Sequence, residues 1–432
     1  MNKPLTSPPT DTATWFWAFW SVTAAFGTYF CMYAFRKPFA AGAYADSEVA
    51  GIAFKTVLVT SQGAGYMLSK FIGIKVVSEM PPVRRPWAIL ALILLAELAL
   101  LAYGLSPRPW NAVWLFANGL PLGMVFGLVL SCLEGRRVTD ALTAGLCASF
   151  ILADGVTKSV GSWLLANQIS EDWMPAAAGL IFLPPLGIFV AMLSCIPQPT
   201  VSDQEARSER TTMSRGDRWT LFGKHAVGLS LIVGLYLLIT ILRSVRADFA
   251  PELWRGLGES AVPSLFTRSE MYVAFGVIVV NGSLVAIRDN RRAFFGSLAV
   301  CCAGLVLLLI ALIGLQLGQL SAFPFMVLMG LGLYLPYVAV HTTVFERFLA
   351  MTRDRGSIGF LMSVADAIGY LGYVGVMLSR NLWPTTENFL GFFTLIGWLT
   401  TLMSVMLLAL TWRYFSMRYR DPQFEPLPVA AV

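Results

Sequence analysis

The chain has 432 residues, 56% of them hydrophobic and only 13% charged, with 37 glycines and a mean hydropathy of +0.67. A soluble protein of that length does not bury so much apolar surface, so most of the chain belongs in lipid. The formal charge of +6 speaks of basic cytoplasmic loops and not of nucleic acid, since no basic-aromatic surface outside the apolar segments supports that partner.

The N-terminal stretch MNKPLTSPPTDTAT is polar and lacks the basic-then-apolar pattern of a cleaved signal, so the first apolar segment is expected to stay in the chain. Hydropathy then predicts twelve spans near 14–36, 54–78, 87–106, 111–133, 142–167, 174–196, 226–250, 266–288, 293–316, 322–346, 356–380 and 388–414. The one sizeable polar interruption in the middle divides the chain into a six-helix half at 1–196, a cytoplasmic linker at 197–224, a second six-helix half at 225–415 and a cytoplasmic tail at 416–432. Arg84, Arg85, Arg136, Arg137, Arg207, Arg210, Arg288, Arg291, Arg292, Arg353, Arg355 and Arg420 fall in even-to-odd connections, the linker or the tail. The opposite loops carry mainly acids, such as Asp46, Glu171 and Glu252. The positive-inside rule therefore places both termini in the cytoplasm.

Charges inside the spans are the functional signal. An arginine at membrane depth is costly, keeps its charge, and by default marks a substrate or ion pathway. Arg36 closes the first segment and Arg243 lies well inside the seventh, separated by the same 207 residues as Arg84–Arg85 and Arg291–Arg292. Two related halves, each with a charged device, are expected. Hydropathy alone puts Arg36 at the outer end of its segment and favours snorkelling to the headgroups over a central site. Arg246 reads as structural, paired with Asp248 or Glu270, and Lys37 as structural too. Glu97, an acid on an otherwise lipid-like third segment, is expected to meet a neighbouring helix. The six cysteines lie in apolar stretches without ligand spacing, and His225 and His341 are the only histidines, which leaves little material for a metal site. No nucleophile–base pair or phosphate-cradling Gly loop is visible, so neither an enzyme nor a cofactor is expected.

Twelve helices in two pseudo-symmetric six-helix halves is the layout of the all-α major facilitator membrane proteins, in which the halves rock about a midplane site. Within that group the chain resembles the organophosphate:phosphate antiporter branch, which includes bacterial glycerol-3-phosphate and hexose-phosphate transporters. YFCMYAFRKPFA resembles the branch's first-helix signature, with Pro38 in place of an Asn, and GYMLSKFIGIKVVSE its second helix, whose site lysine falls on Lys70. LLITILRSVRADFAPELW resembles the seventh helix, its arginine at Arg243. RSEMYVAFG is similar to the eighth, its acid at Glu270, and RDRGSIGFLMSVADAIGYLG to the entry of the eleventh. The resemblance implies that the first helix runs on past Arg36 and that Arg36, Arg243 and Lys70 bind substrate. It implies a bacterial inner-membrane protein, expected to be monomeric, whose partners are the lipid bilayer and a small anionic substrate.

The fifth segment departs from the branch. In AGLCASFILADGVTKSVGS, Asp154 stands where the branch has a pocket histidine, and Lys158 where it has a glycine. Spaced i, i+4 with the acid first, the two can simply pair with each other. Alternatively both line the pocket, with Asp154 as a titratable coupling group and Glu270 and Asp366 as further coupling or gating candidates; Asp366 would contact substrate or counter an arginine. The chemistry follows from the arginines, because two guanidinium forks facing one cavity are relieved by a phosphate or carboxylate entering between them. The function expected is transport of a phosphate ester or inorganic phosphate by alternating access, with phosphate antiport and proton symport both open. The alternatives are a transport-inactive sensor of such an anion and an exporter of an amphipathic or lipid-like substrate, the latter suggested by 13 Trp and 29 Phe.

Overall fold

The computed structural model describes residues 11–133, 139–197, 215–260, 262–284, 286–287, 289–352, 358–379 and 389–419. Twelve long helices carry the fold. In the first half they are α1 (Asp11–Met32), α2 (Phe54–Glu79), α3 (Arg85–Leu105), α4 (Ala112–Leu133), α5 (Thr139–Ala166) and α6 (Met174–Ser194). In the second they are α7 (Arg215–Asp248), α8 (Pro263–Leu284), α9 (Asn290–Gln316), α10 (Ala322–Ala339), α11 (Ile358–Ser379) and α12 (Phe389–Arg418). A two-residue hairpin pairs Glu48–Val49 with Ile52–Ala53 in the first loop, and a short helix, Ala250–Gly256, follows α7.

Burial separates these helices into two sets. In α3, α6, α9 and α12 the most apolar window is 39%, 33%, 44% and 39% buried, whereas in α4, α7, α10 and α11 the figures are 61%, 67%, 72% and 56%. Every third helix is thus peripheral, and a lipid-facing helix is free to be uniformly apolar. Among the described residues, eight helices are long and apolar enough to cross a membrane by length and composition alone. The other four, α1, α2, α5 and α8, belong to the central set, and three of them carry buried charges: Lys70 on α2, Asp154 and Lys158 on α5, and Glu270 on α8.

Small residues bring the central helices together. A Cβ on Gly119 would meet Tyr66 N at 2.7 Å, and one on Gly123 would meet Tyr66 O at 2.7 Å, so α4 touches the backbone of α2 through a Gly-x3-Gly face. Across the two halves, a Cβ on Gly155 of α5 would come within 2.7 Å of Phe266 O and 2.8 Å of Glu270 Cβ on α8.

The structure corrects several expected boundaries. The first helix does not run on past Arg36 in α form. It gives way to 3-10 turns at Tyr33–Phe35 and Pro38–Ala41, because Pro38 has no N–H for the carbonyl four residues back. Residues 215–224, expected as linker, belong to α7, which bends at His225 (φ −124°, ψ 22°). The tenth span runs to Thr352, through a π-turn at Val340–Val344 and a last helical piece at Phe345–Thr352. Linker residues 198–214, tail residues 420–432 and Arg136, Arg137, Arg207, Arg210, Arg288, Arg353, Arg355 and Arg420 lie outside the described residues.

Candidate functional site

The break after α1 turns the chain so that Arg36 ends in the centre of the bundle rather than at its rim. Arg36 N and Lys37 N both donate to Tyr33 O, at 3.0 and 2.9 Å. The carbonyls that the lost helix leaves open are served by side chains. Asn118 Nδ2 donates to Phe35 O and Ala96 O, both at 3.0 Å, and Gln62 Nε2 donates to Arg36 O at 3.0 Å and Asn118 Oδ1 at 2.8 Å. An irregular backbone at membrane depth survives only with such internal partners.

Arg243, by contrast, projects from unbroken α7. Both arginines are buried, at 6% and 5% exposure, which removes the snorkelling reading of Arg36. They converge on one atom: Arg36 Nη2 donates to Tyr370 Oη at 3.2 Å and Arg243 Nη2 donates to the same oxygen at 3.3 Å. Arg36 lies 3.7 Å above the Tyr66 ring and Arg243 4.2 Å above the Tyr337 ring. Desolvated cation–π contacts of this kind contribute about 2 kcal/mol each. The Nε atoms of both are buried without a partner.

Every other buried cation described in the core has a carboxylate. Lys37 pairs with Asp248, Lys55 with Glu252 at 2.6 Å, Lys70 with Asp366 at 2.7 Å, Lys158 with Asp154, and Arg246 with Glu270 at 2.9 Å. Arg36 and Arg243 have no carboxylate: they share the Tyr370 phenol, and Arg243 adds a 3.4 Å contact to Ser244 Oγ. Two like charges roughly 6 Å apart at an effective dielectric of about 20 repel by about 3 kcal/mol. The site is therefore an uncompensated cationic focus lined by tyrosines.

The remaining expected site residues fall around it. Lys70 lies 5.2 Å above the Tyr66 ring that Arg36 also covers, but its charge is answered by Asp366. Asp366 therefore counters a lysine, not an arginine. Asp154 and Lys158 form the intrahelical pair that their spacing allows, with Asp154 Oδ1 left without a partner. Glu270 holds Arg246, whose Nη2 also donates to Met326 O at 2.9 Å. Asp248 takes Lys37 and the Tyr373 hydroxyl at 2.7 Å. Glu97 meets α6, where Gly179 leaves room for its carboxylate. Sequence reasoning did not single out Tyr66, Tyr337, Tyr370, Gln62 or Asn118. The available signal was polar side chains inside apolar runs, such as the lone Asn and Gln of α4 and α2.

The architecture and this buried focus define a membrane protein with the major facilitator fold. A crystal structure of a D-xylose–proton symporter matches with a TM-score of 0.61 at 12% identity, over 90% of this chain and 96% of that one. The chain belongs to a family described as a family of unknown function (DUF5690), whose model matches residues 38–418. No curated protein matches its sequence.

Proposed function

We propose that the chain is a secondary transporter of a small organic anion, a phosphate ester or inorganic phosphate, held between Arg36 and Arg243 while the two halves rock about it. One observation carries this reading: two buried guanidinium groups share the single oxygen of Tyr370 and have no carboxylate, while the five buried cations around them each have one. A tetrahedral oxyanion would replace the phenol as acceptor, occupy both forks and cancel their repulsion. The fold supports alternating access, since ion pairs of Lys37, in the turn after α1, with the end of α7 and of Lys55 on α2 with the short helix after α7 join the halves at the first-loop end. The basic loops support cytoplasmic termini, and a bacterial inner-membrane location rests on the resemblance to the bacterial antiporters.

The test is counterflow in proteoliposomes loaded with phosphate, using labelled phosphate outside and a panel of phosphate esters and carboxylates as competitors. Saturable exchange, competed best by phosphate esters, is the expected result. No exchange and no binding of any anion in the panel would refute the reading.

A further inference from the structure

Next to the arginines lies a second buried cluster that anion binding alone does not use. Tyr236 of α7 donates its hydroxyl to Asp366 Oδ1 on α11, while Asp366 Oδ2 takes Lys70 of α2 across the two halves at 2.7 Å. His341 sits in the π-turn of α10, a backbone form found most often at functional sites. Its Nε2 lies 3.3 Å from Tyr236 Oη and 3.5 Å from Asp366 Oδ1, and its Nδ1 lies 3.2 Å from Tyr337 O. Phe126 of α4 closes the ring edge-on at 5.9 Å, and Cys147 of α5 is within electrostatic reach of Asp366.

Counting protons in this cluster leaves a vacancy. Tyr337 O is only an acceptor, so Nδ1 must carry a hydrogen to bond it. Nε2 then presents a lone pair to two oxygens, and the single Tyr236 proton is already committed to Asp366. The other neutral tautomer moves the same mismatch to Tyr337 O. A ring protonated on both nitrogens bonds Tyr337 O and leaves the Tyr236 proton on Asp366, whereas a neutral ring with its proton on Nδ1 bonds on both sides only by drawing the Tyr236 proton away from Asp366. The opposing force is charge: Lys70 already answers Asp366, and Arg36 and Arg243 add two cations without carboxylates, the latter 4.2 Å from the centre of the same Tyr337 ring against which His341 packs at 4.6 Å. An anion between the arginines removes that opposition.

We infer that His341, with Asp366 and Tyr236, is a proton-binding site filled when the anion binds, so that the transporter carries a proton together with its anion. The inference rests on the proposed anion site and adds its coupling ion. Linkage makes the effect reciprocal: whatever factor the anion adds to proton binding at His341, the proton adds to anion binding. His341 is a coupling residue here and makes no contact with the anion.

The experiment is proton uptake by the purified protein on addition of phosphate, followed with a pH indicator in weak buffer, for the wild type, His341→Gln and Asp154→Asn. The protonation of phosphate itself is common to all three, so differences report the protein. At saturating phosphate, wild type and Asp154→Asn should take up equal extra protons, His341→Gln none, with phosphate still bound by His341→Gln. As a second reading that needs no variant at position 341, ring-labelled histidine is followed by NMR with and without phosphate, and His225→Gln assigns the two signals. The His341 ring should convert to imidazolium when phosphate is added. Phosphate binding with an unchanged His341 ring, or with extra uptake that survives His341→Gln, would overturn the coupling and leave the anion site standing. Absence of phosphate binding would overturn both.

Discussion

Arg36 and Arg243 deliver the same charge to the same oxygen from opposite backbones. In the first half the helix stops at Met32, and Arg36 is carried by a 3-10 turn whose carbonyls depend on Gln62 and Asn118. In the second half α7, past its bend at His225, continues as helix through Arg243 to Asp248. The equivalent placement in sequence thus yields convergence on one oxygen without structural symmetry. The broken side depends on partners from α2 and α4, and the continuous side on the rings of α10 that its guanidinium covers. Each half should therefore fail in its own way.

The largest effect should come from the charges themselves. Arg36→Lys and Arg243→Lys keep a cation but lose the planar fork, and a compact ammonium cannot bond the anion bidentately. Each should reduce phosphate exchange by at least about a hundredfold, on the order of 2.7 kcal/mol, with thermal stability and monodispersity preserved. Near-normal exchange in either variant would remove the two-arginine site.

The supports come next, and here the halves should separate. Asn118→Ala removes the side-chain donor from the carbonyls of Phe35 and Ala96 and leaves the Gln62 amide with Arg36 O alone. Each such buried loss costs about 1–3 kcal/mol, so the variant should melt several degrees lower and bind phosphate about tenfold more weakly. Ser244→Ala, beside Arg243, removes only a 3.4 Å contact and should change affinity by less than about threefold. Equal penalties from the two would mean that the break in α1 is incidental to holding Arg36.

Lys70 distinguishes direct binding from charge balance. Lys70→Gln leaves Asp366 buried without its ammonium, next to the cationic focus, and phosphate affinity should fall about tenfold, or roughly 1.4 kcal/mol. If Lys70 only answers Asp366, the double variant Lys70→Gln with Asp366→Asn should regain most of that affinity. A double variant as weak as the single would place Lys70 on the anion.

How much of this was legible in the sequence depends on the range of the interaction. The spans, the depth of Arg243 and the Asp154–Lys158 pair follow from hydropathy and i, i+4 spacing, which are local, whereas the central place of Arg36 comes from the family resemblance. The convergence on Tyr370 spans 334 residues from Arg36 and 127 from Arg243, and no local pattern distinguishes that tyrosine from the others. The same holds for Asp366, whose partner depends on which face of α2 meets α11. The break after Met32 was open to inference, because Pro38 forbids the helical bond there. The resemblance to a first helix that runs through this point pulled the expectation the other way.

The smallest effect is expected at α5, where the sequence left pairing and pocket chemistry open. Asp154 and Lys158 are both 2% exposed and bonded to each other one turn apart, so together they add no net charge to the focus. Exchanging them (Asp154→Lys with Lys158→Asp) keeps the pair but reverses its dipole relative to the helix, which costs a few tenths of a kcal/mol by orientation. It also presents a cation where Asp154 now lies close enough to influence Glu270. That position is near Arg246, so Glu270 would gain a second cation and the pair would stay neutral overall. Exchange activity within about threefold of wild type is expected, measured as initial phosphate counterflow. Asp154→Asn alone should be worse than the swap, because it strands a buried ammonium. A swapped variant as inactive as the arginine variants would show that these two side chains meet the anion individually and not as a pair.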